Sequence, residues 1–295
     1  IRCFWLDEAE PEYGNYDFDN YRYYAGPALQ CSNVYPVGYA KGFYEGLKEA
    51  GEENVMSLIR CAWAGSQKYA VLTWSGDVYS SFRSMREQLQ AGLSMGMAGI
   101  PWWTSDIGGF IGGQPVDPAF RELLMRWFAW GCFCPVFRMH GERSPWYERE
   151  VEYIDNVRQL TSGQPNEVWS FGEKVYEVLK KFLFLRERLR SYVRGLMKEA
   201  SETGAPVMRP LFFDFPSDPA CWNVEDSYMF GPDLLVSPVM EAGAQQRSVY
   251  LPVGCRWTDA YTHQTYEGGQ TVTVPAPIDV IPVMVREGRE YPIYD

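Results

Sequence analysis

The sequence predicts an α/β fold: the second half of a (β/α)8 TIM barrel, about strands 4 to 8, followed by a small antiparallel β-sandwich domain. Three observations carry this. Short apolar runs of strand length alternate with amphipathic helical runs over the first two thirds, which implies parallel strands joined by right-handed crossovers. Polar, Trp-rich sequence follows the C-terminal end of nearly every predicted strand, where an α/β barrel carries its active site. Beyond Gly204 the texture changes to Pro- and Gly-rich sequence with short alternating runs. The expected division is 1–203 for the barrel portion and 204–295 for the β-domain. An open doubly wound sheet is the other architecture, but its usual Gly-rich phosphate loop does not occur.

The elements follow in order. Ile1–Leu6 reads as a strand. Tyr35, Tyr39, Phe43 and Leu47 recur every four residues and mark a helix closed by Gly51. Val55–Ile59 and Ala70–Trp74 are strands, and Phe82, Met85, Leu89 and Leu93 mark the helix after them. Gly99–Trp103 is the next strand. Asp117-Pro118 supplies an N-cap and a proline at the first helical position. Pro135–Arg138 is the fifth strand, and one long helix runs from about Gly172 to Ser201. In the β-domain, Leu234–Val239, Ser248–Leu251, Thr271–Val274 and Val280–Val285 read as strands. Five strands cannot close a barrel of eight, and the chain starts at Ile1 inside a buried-strand pattern. The expectation is therefore that an N-terminal half of the same protein lies upstream.

Composition narrows the function. A net charge of −11 disfavours nucleic acid, which needs clustered Lys and Arg, and disfavours an anionic membrane surface. No run of 18 or more apolar residues suggests a membrane span. Seven scattered cysteines in 295 residues do not read as a disulfide scaffold, which points to a reducing, cytoplasmic setting. With two histidines, no zinc-ligand spacing is present.

Four segments at strand ends carry candidate chemistry. FWLDEAEPE (4–12) ends a strand in Trp5 and Asp7, with Glu8, Glu10 and Glu12 as competing acids. WSGD (74–77) does the same with Trp74 and Asp77; a neighbouring indole would partly desolvate that acid, which suits a proton donor. IPWWTSDIGGF (100–110) offers Trp102 and Trp103 to stack on a sugar face and Asp106 to accept from hydroxyls. PVFRMHGERSPW (135–146) places the donors Arg138 and His140, and Arg60, followed by Trp63, adds another. Read singly, each has a plainer use: Asp77 could cap the helix beginning near Ser80, and the arginines could pair with nearby acids. Read together, five strand ends bearing acids, Arg, His and Trp on one barrel rim suit carbohydrate chemistry. Hydrolysis of a glycosidic bond needs two flanking carboxylates.

At these residues the chain resembles glycoside hydrolase family 31, the family of α-glucosidases, α-xylosidases and related transglycosylases. FWLDEAEPE looks like its nucleophile motif, implying Asp7 as nucleophile and Trp5 as a wall of the subsite for the cleaved sugar. WSGD resembles its acid/base motif, implying Asp77 with Trp74 beside it. RCAWAGSQKY resembles the segment whose Arg, here Arg60, binds that sugar. WWTSDIGGF resembles the segment in which Asp106 and Phe110 shape the pocket, and FRMHG the one supplying His140. GAPVMRPLFFDFP, FGPDLLVSPV and IPVMVREG are similar to its proximal C-terminal β-domain. Glu8 stands where many α-glucosidases of the family carry Met, and DEAEPE with WWTSDIGGF is closer to bacterial members that include α-xylosidases.

The resemblance implies a retaining α-glycosidase, an α-xylosidase or α-glucosidase, acting on terminal non-reducing sugars by double displacement. Arg60, Arg138 and His140 would orient hydroxyls, and Trp5, Trp74 and Trp103 would exclude water. No metal or organic cofactor is implied. The alternatives are a transglycosylase of the same family and a non-catalytic carbohydrate-binding homologue. The expected partners are an oligosaccharide or glycoside, the upstream half of the protein and, as an open alternative, a second copy of the chain.

Overall fold

A computed structural model describes residues 3–10, 21–143, 153–154, 157–158 and 163–291. Ile1, Glu12 and Ser144–Trp146, which the sequence reading used, lie outside them.

Four strands form one parallel sheet: β1 (Cys3–Leu6), β2 (Met56–Ile59), β3 (Val71–Trp74) and β4 (Trp103–Thr104), in sequence order. The register pairs Leu6 with Ile59, Ile59 with Thr73, and Trp74 with Thr104. All four strands run the same way, so the residues that follow them meet at one edge.

Three helices form where the sequence predicts them, and their ends have local causes. α1 (Tyr35–Glu49) has Pro36 in its first turn and buries Ala40 and Leu47; Gly51, at φ 88°, follows its C-terminus. α2 (Phe82–Met97) is capped by Ser81, whose hydroxyl accepts from the Ser84 amide at 3.0 Å. Asp77 is therefore not the cap of this helix. α3 (Pro118–Gly131) has the Asp117 cap and the Pro118 start read from the sequence.

Two expectations are corrected. Pro135–Arg138 is not a strand. Pro135 has no N–H to give a ladder, and the contacts to β4 are a single amide bond, Val136 to the Trp103 carbonyl, and the Thr104 hydroxyl to the Val136 carbonyl. The long C-terminal helix is two helices, α4 (Glu173–Arg188) and α5 (Arg190–Thr203), separated at Leu189.

Beyond Gly204, which ends α5 in the left-handed conformation, the chain forms a six-stranded antiparallel sheet and a two-stranded ribbon. The strands are β5 (Met208–Pro210), β6 (Tyr228–Phe230), β7 (Leu234–Val236), β8 (Gln246–Leu251), β9 (Arg256–Asp259), β10 (Thr265–Glu267), β11 (Gln270–Pro275) and β12 (Val283–Arg286). The sheet order is β10-β9-β12-β7-β6-β5, and β8 pairs with β11 to make the ribbon. Val249, Leu251, Val272 and Val274 of the ribbon share a buried cluster with Met229, Leu235, Trp257 and Met284 of the sheet.

The opposite sheet face, through Tyr228, Phe230, Val236 and Val285, shares the main core with Trp127, Trp130, Phe182 and Leu196 of the helices. Polar bonds cross the same boundary. The Tyr228 hydroxyl donates to the Phe133 carbonyl at 2.8 Å, and buried Arg126 donates to the Ala244 and Pro277 carbonyls at 2.7 and 2.8 Å. The β-domain thus backs the helical layer that supports the parallel sheet.

Candidate active site

The site is built from four strand ends. β1 delivers Asp7, β2 delivers Arg60, the turn after β3 delivers Asp77, and the loop after β4 delivers Asp106. Backbone bonds hold the last two loops together. Ser80 donates to the Ile111 carbonyl, and Phe110 and Ile111 both donate to the Val78 carbonyl, at 2.8–3.0 Å. Gly109 permits the approach: an added Cβ would lie 2.7 Å from Ser80 backbone atoms.

Arg60 is the centre of the charge pattern. Its Nη1 lies 3.2 Å from Asp7 Oδ1 and 3.9 Å from Asp77 Oδ2, and its Nη2 pairs with Glu10. The Arg60 side chain is 17% exposed, whereas those of Asp7 and Asp77 are 48% and 46% exposed. Both acids therefore face open space over a cation anchored beneath them. Next to Asp7, Glu8 adopts the left-handed backbone (φ 47°) and its amide donates to Asp7 Oδ1 at 2.9 Å. A non-glycine residue there costs about 1–3 kcal/mol.

Burial outweighs attraction at the next pair. Asp106 is fully buried and bonded to Arg138; its other oxygen, Oδ2, has no hydrogen-bond partner among the described residues. Loss of solvent raises its pKa above the ordinary carboxylate value, against the pull of Arg138 and His140. Burial also lowers the His140 pKa, opposed by Asp106 and assisted by Arg138. Glu10 goes the other way: burial works to raise it, but the Arg60 bond and charge bring it below its ordinary value.

The aromatic residues complete the wall. The Trp5 ring is half exposed, meets Trp74 edge-on at 6.0 Å and meets His140 edge-on at 5.0 Å. His140 in turn stacks on Phe110 at 5.3 Å. The Arg138 guanidinium lies 5.8 Å from the Trp5 ring and 5.6 Å from the buried Trp74 ring.

Asp7, Arg60 and Asp77 thus form one contact group and Trp5, Trp74, Asp106, Phe110, Arg138 and His140 another, and the charge of Asp77 acting on Asp106 and His140 ties the two into one site. Trp103 does not join it. Its ring is 2% exposed, packs 6.0 Å from Trp130 and lies against Gly92 of α2. Its position on β4 turns it into the core. Trp102 immediately precedes that strand and lines a separate cavity of about 420 Å³, with Tyr44, Gln67, Lys68 and Gly204, at the opposite edge of the sheet.

Two residues were not foreseen in their observed roles. Glu10, weighed only as a rival to Asp7, is the anchor of Arg60. Arg143 is fully buried and bonded to the Ile107 and Gly109 carbonyls. The signal for Arg143 was a further cation just past His140, in a stretch already rich in donors. Among the described residues no group of three metal-ligating side chains occurs, and no helix is long and apolar enough to cross a membrane.

The glycosyl hydrolases family 31 TIM-barrel domain model matches residues 1–195, and the glycosyl hydrolase family 31 C-terminal domain model matches residues 204–289. A solved α-xylosidase of this family from a soil metagenome, complexed with xylose, is 58% identical with a TM-score of 0.93, over 98% of this chain and 43% of that one. The α-xylosidase of Saccharolobus solfataricus is 35% identical over 99% of this chain and 38% of its own length. α-Glucosidase 2 of Bacillus thermoamyloliquefaciens is 32% identical over 90% of this chain and 31% of its own. The chain spans well under half the length of each.

Proposed function

The chain belongs to glycosyl hydrolase family 31, and from that premise we propose that it carries the catalytic acids of a retaining α-glycosidase acting on terminal non-reducing sugars. The observation that carries this reading is the contact of one Arg60 nitrogen with both Asp7 and Asp77. Those two oxygens, 3.2 and 3.9 Å from a shared atom, are no more than about 7 Å apart. That limit admits the spacing of about 5–5.5 Å used for retention.

In the proposed reaction Asp7 attacks the anomeric carbon and forms a β-linked glycosyl ester while Asp77 gives its proton to the departing oxygen. Asp77 then takes a proton from water, which opens the ester and restores the α configuration. Arg60 holds Asp7 as an aimed carboxylate. Arg138, held from beneath by the buried Asp106, and His140 donate to sugar hydroxyls, and Trp5, Trp74 and Phe110 wall the pocket.

The cleaved sugar is an α-xylosyl unit in this reading. Its support is the likeness to two proteins described as α-xylosidases, one of them holding xylose. Initial rates of the full-length protein on paired aryl α-xyloside and α-glucoside test it. We expect kcat/KM to favour the xyloside by about tenfold or more, the scale on which a pocket discriminates one small substituent. A preference for the glucoside contradicts the xylosidase reading but leaves the α-glycosidase reading standing.

A further inference from the structure

We infer that Arg143 is a positioning residue that sets the sugar-binding wall by fastening the loop of Asp106 and Phe110 to the loop of His140. The inference rests on the glycosidase reading above and adds a residue outside the catalytic group.

The geometry is that of a clamp. The Arg143 side chain is fully buried. Its Nη2 donates to the Ile107 carbonyl at 3.1 Å and its Nη1 to the Gly109 carbonyl at 2.9 Å. Those two carbonyls bracket the turn between Asp106 and Phe110. Its Nε donates to Asn166 Oδ1 at 2.8 Å, and its guanidinium lies 4.8 Å from the Phe120 ring. No carboxylate bonds to it among the described residues. A buried cation without a paired anion is costly, and burial pushes this guanidinium down to about 10. Three acceptors around the guanidinium offset that cost, one at each nitrogen of the fork.

The surrounding backbone fits the same purpose. The Glu142 amide donates to the Phe110 carbonyl at 2.9 Å, and the Gln164 amide to the Arg143 carbonyl at 2.9 Å. At Gly141, φ is 151°, and an added Cβ would lie 2.6 Å from the Gly109 carbonyl oxygen. The two loops are therefore in backbone contact, and Arg143 spans the join. What the join aligns is the 5.3 Å stack of His140 on Phe110, beside the buried Asp106.

The test uses the full-length protein and the variants Arg143→Lys, which keeps the charge but loses the fork, and Asn166→Ala, which keeps the guanidinium and both carbonyl bonds. KM on an aryl α-xyloside and the inhibition constants of free xylose and glucose are measured below each variant's melting temperature. A misplaced wall weakens sugar binding itself. Arg143→Lys should raise KM and the inhibition constant of the preferred sugar together, by about tenfold to a hundredfold. Asn166→Ala should raise both by about two- to tenfold. A merely structural role would lower the folded fraction, so the maximal rate would fall while KM and the inhibition constants stayed at wild-type values. That result overturns the inference alone. No hydrolysis of either aryl glycoside by the unaltered full-length protein overturns the glycosidase reading, and the inference with it.

Discussion

Arg60 Nη1 stands 3.2 Å from Asp7 Oδ1, on a side chain that Glu10 holds from the other side. The proposed nucleophile is thus aimed by a cation that is itself anchored. Arg60→Met should lower kcat/KM by about 10²- to 10³-fold, the scale of losing one preorganised electrostatic contact. Glu10→Gln keeps a hydrogen-bond acceptor and should cost less than Arg60→Met. Steady-state kinetics on an aryl α-glycoside checks both, and an unaffected Arg60→Met enzyme would remove Arg60 from the site.

Asp77→Ala should separate substrates by their leaving groups. An activated phenol departs without a proton, so its first step survives; a sugar or alkyl leaving group needs the acid and should slow by about 10²- to 10⁴-fold. Equal loss across a series of aryl and alkyl glycosides would speak against Asp77 as the proton donor.

His140 is predicted to be neutral at pH 7. Burial lowers its pKa below the ordinary imidazole value, with Arg138 adding to that and Asp106 opposing it. The unfolded chain then binds this proton more tightly than the folded one, so unfolding takes up a proton between the lowered value and 6.5. The resulting stability is present above 6.5 and lost as pH falls through the lowered value. An NMR titration of the His140 ring locates the midpoint, and one at or above 6.5 contradicts the prediction.

Trp103 should behave as a core residue. A Cβ added at Gly92 would lie 2.8 Å from the Trp103 ring, so Gly92→Ala should destabilise the protein by about 1–3 kcal/mol in urea unfolding, the usual cost of overpacking. A neutral or stabilising substitution would mean that the Trp103 ring can leave its place.

What the sequence made legible was periodic or terminal. Four of the five expected barrel strands formed, because their apolar runs have no local competitor. The fifth did not: Pro135 has no N–H to donate, and the segment makes a single amide bond to the neighbouring strand, from Val136 to the Trp103 carbonyl, which the residue pattern does not mark. The long helix read as one because its apolar spacing passes through Leu189 without a break. At the site, Asp7, Arg60, Asp77 and Asp106 follow strands, whereas Arg138 ends and His140 follows a segment that is not one; residue type singled out these acids and donors. It did not separate Trp103 from Trp5: both are indoles near strand ends, and only their side of the sheet decides between core and cleft. Nor did it assign Glu10 and Arg143, whose roles lie in partners distant along the chain.

The most direct test of the account is the fate of azide with the full-length Asp7→Ala protein. Removing the carboxylate leaves room on the face from which it would attack, so an activated aryl α-glycoside with azide should give a β-glycosyl azide, identified by NMR, while turnover in water is abolished. Retained hydrolysis, or an azide product of α configuration, would contradict Asp7 as the nucleophile.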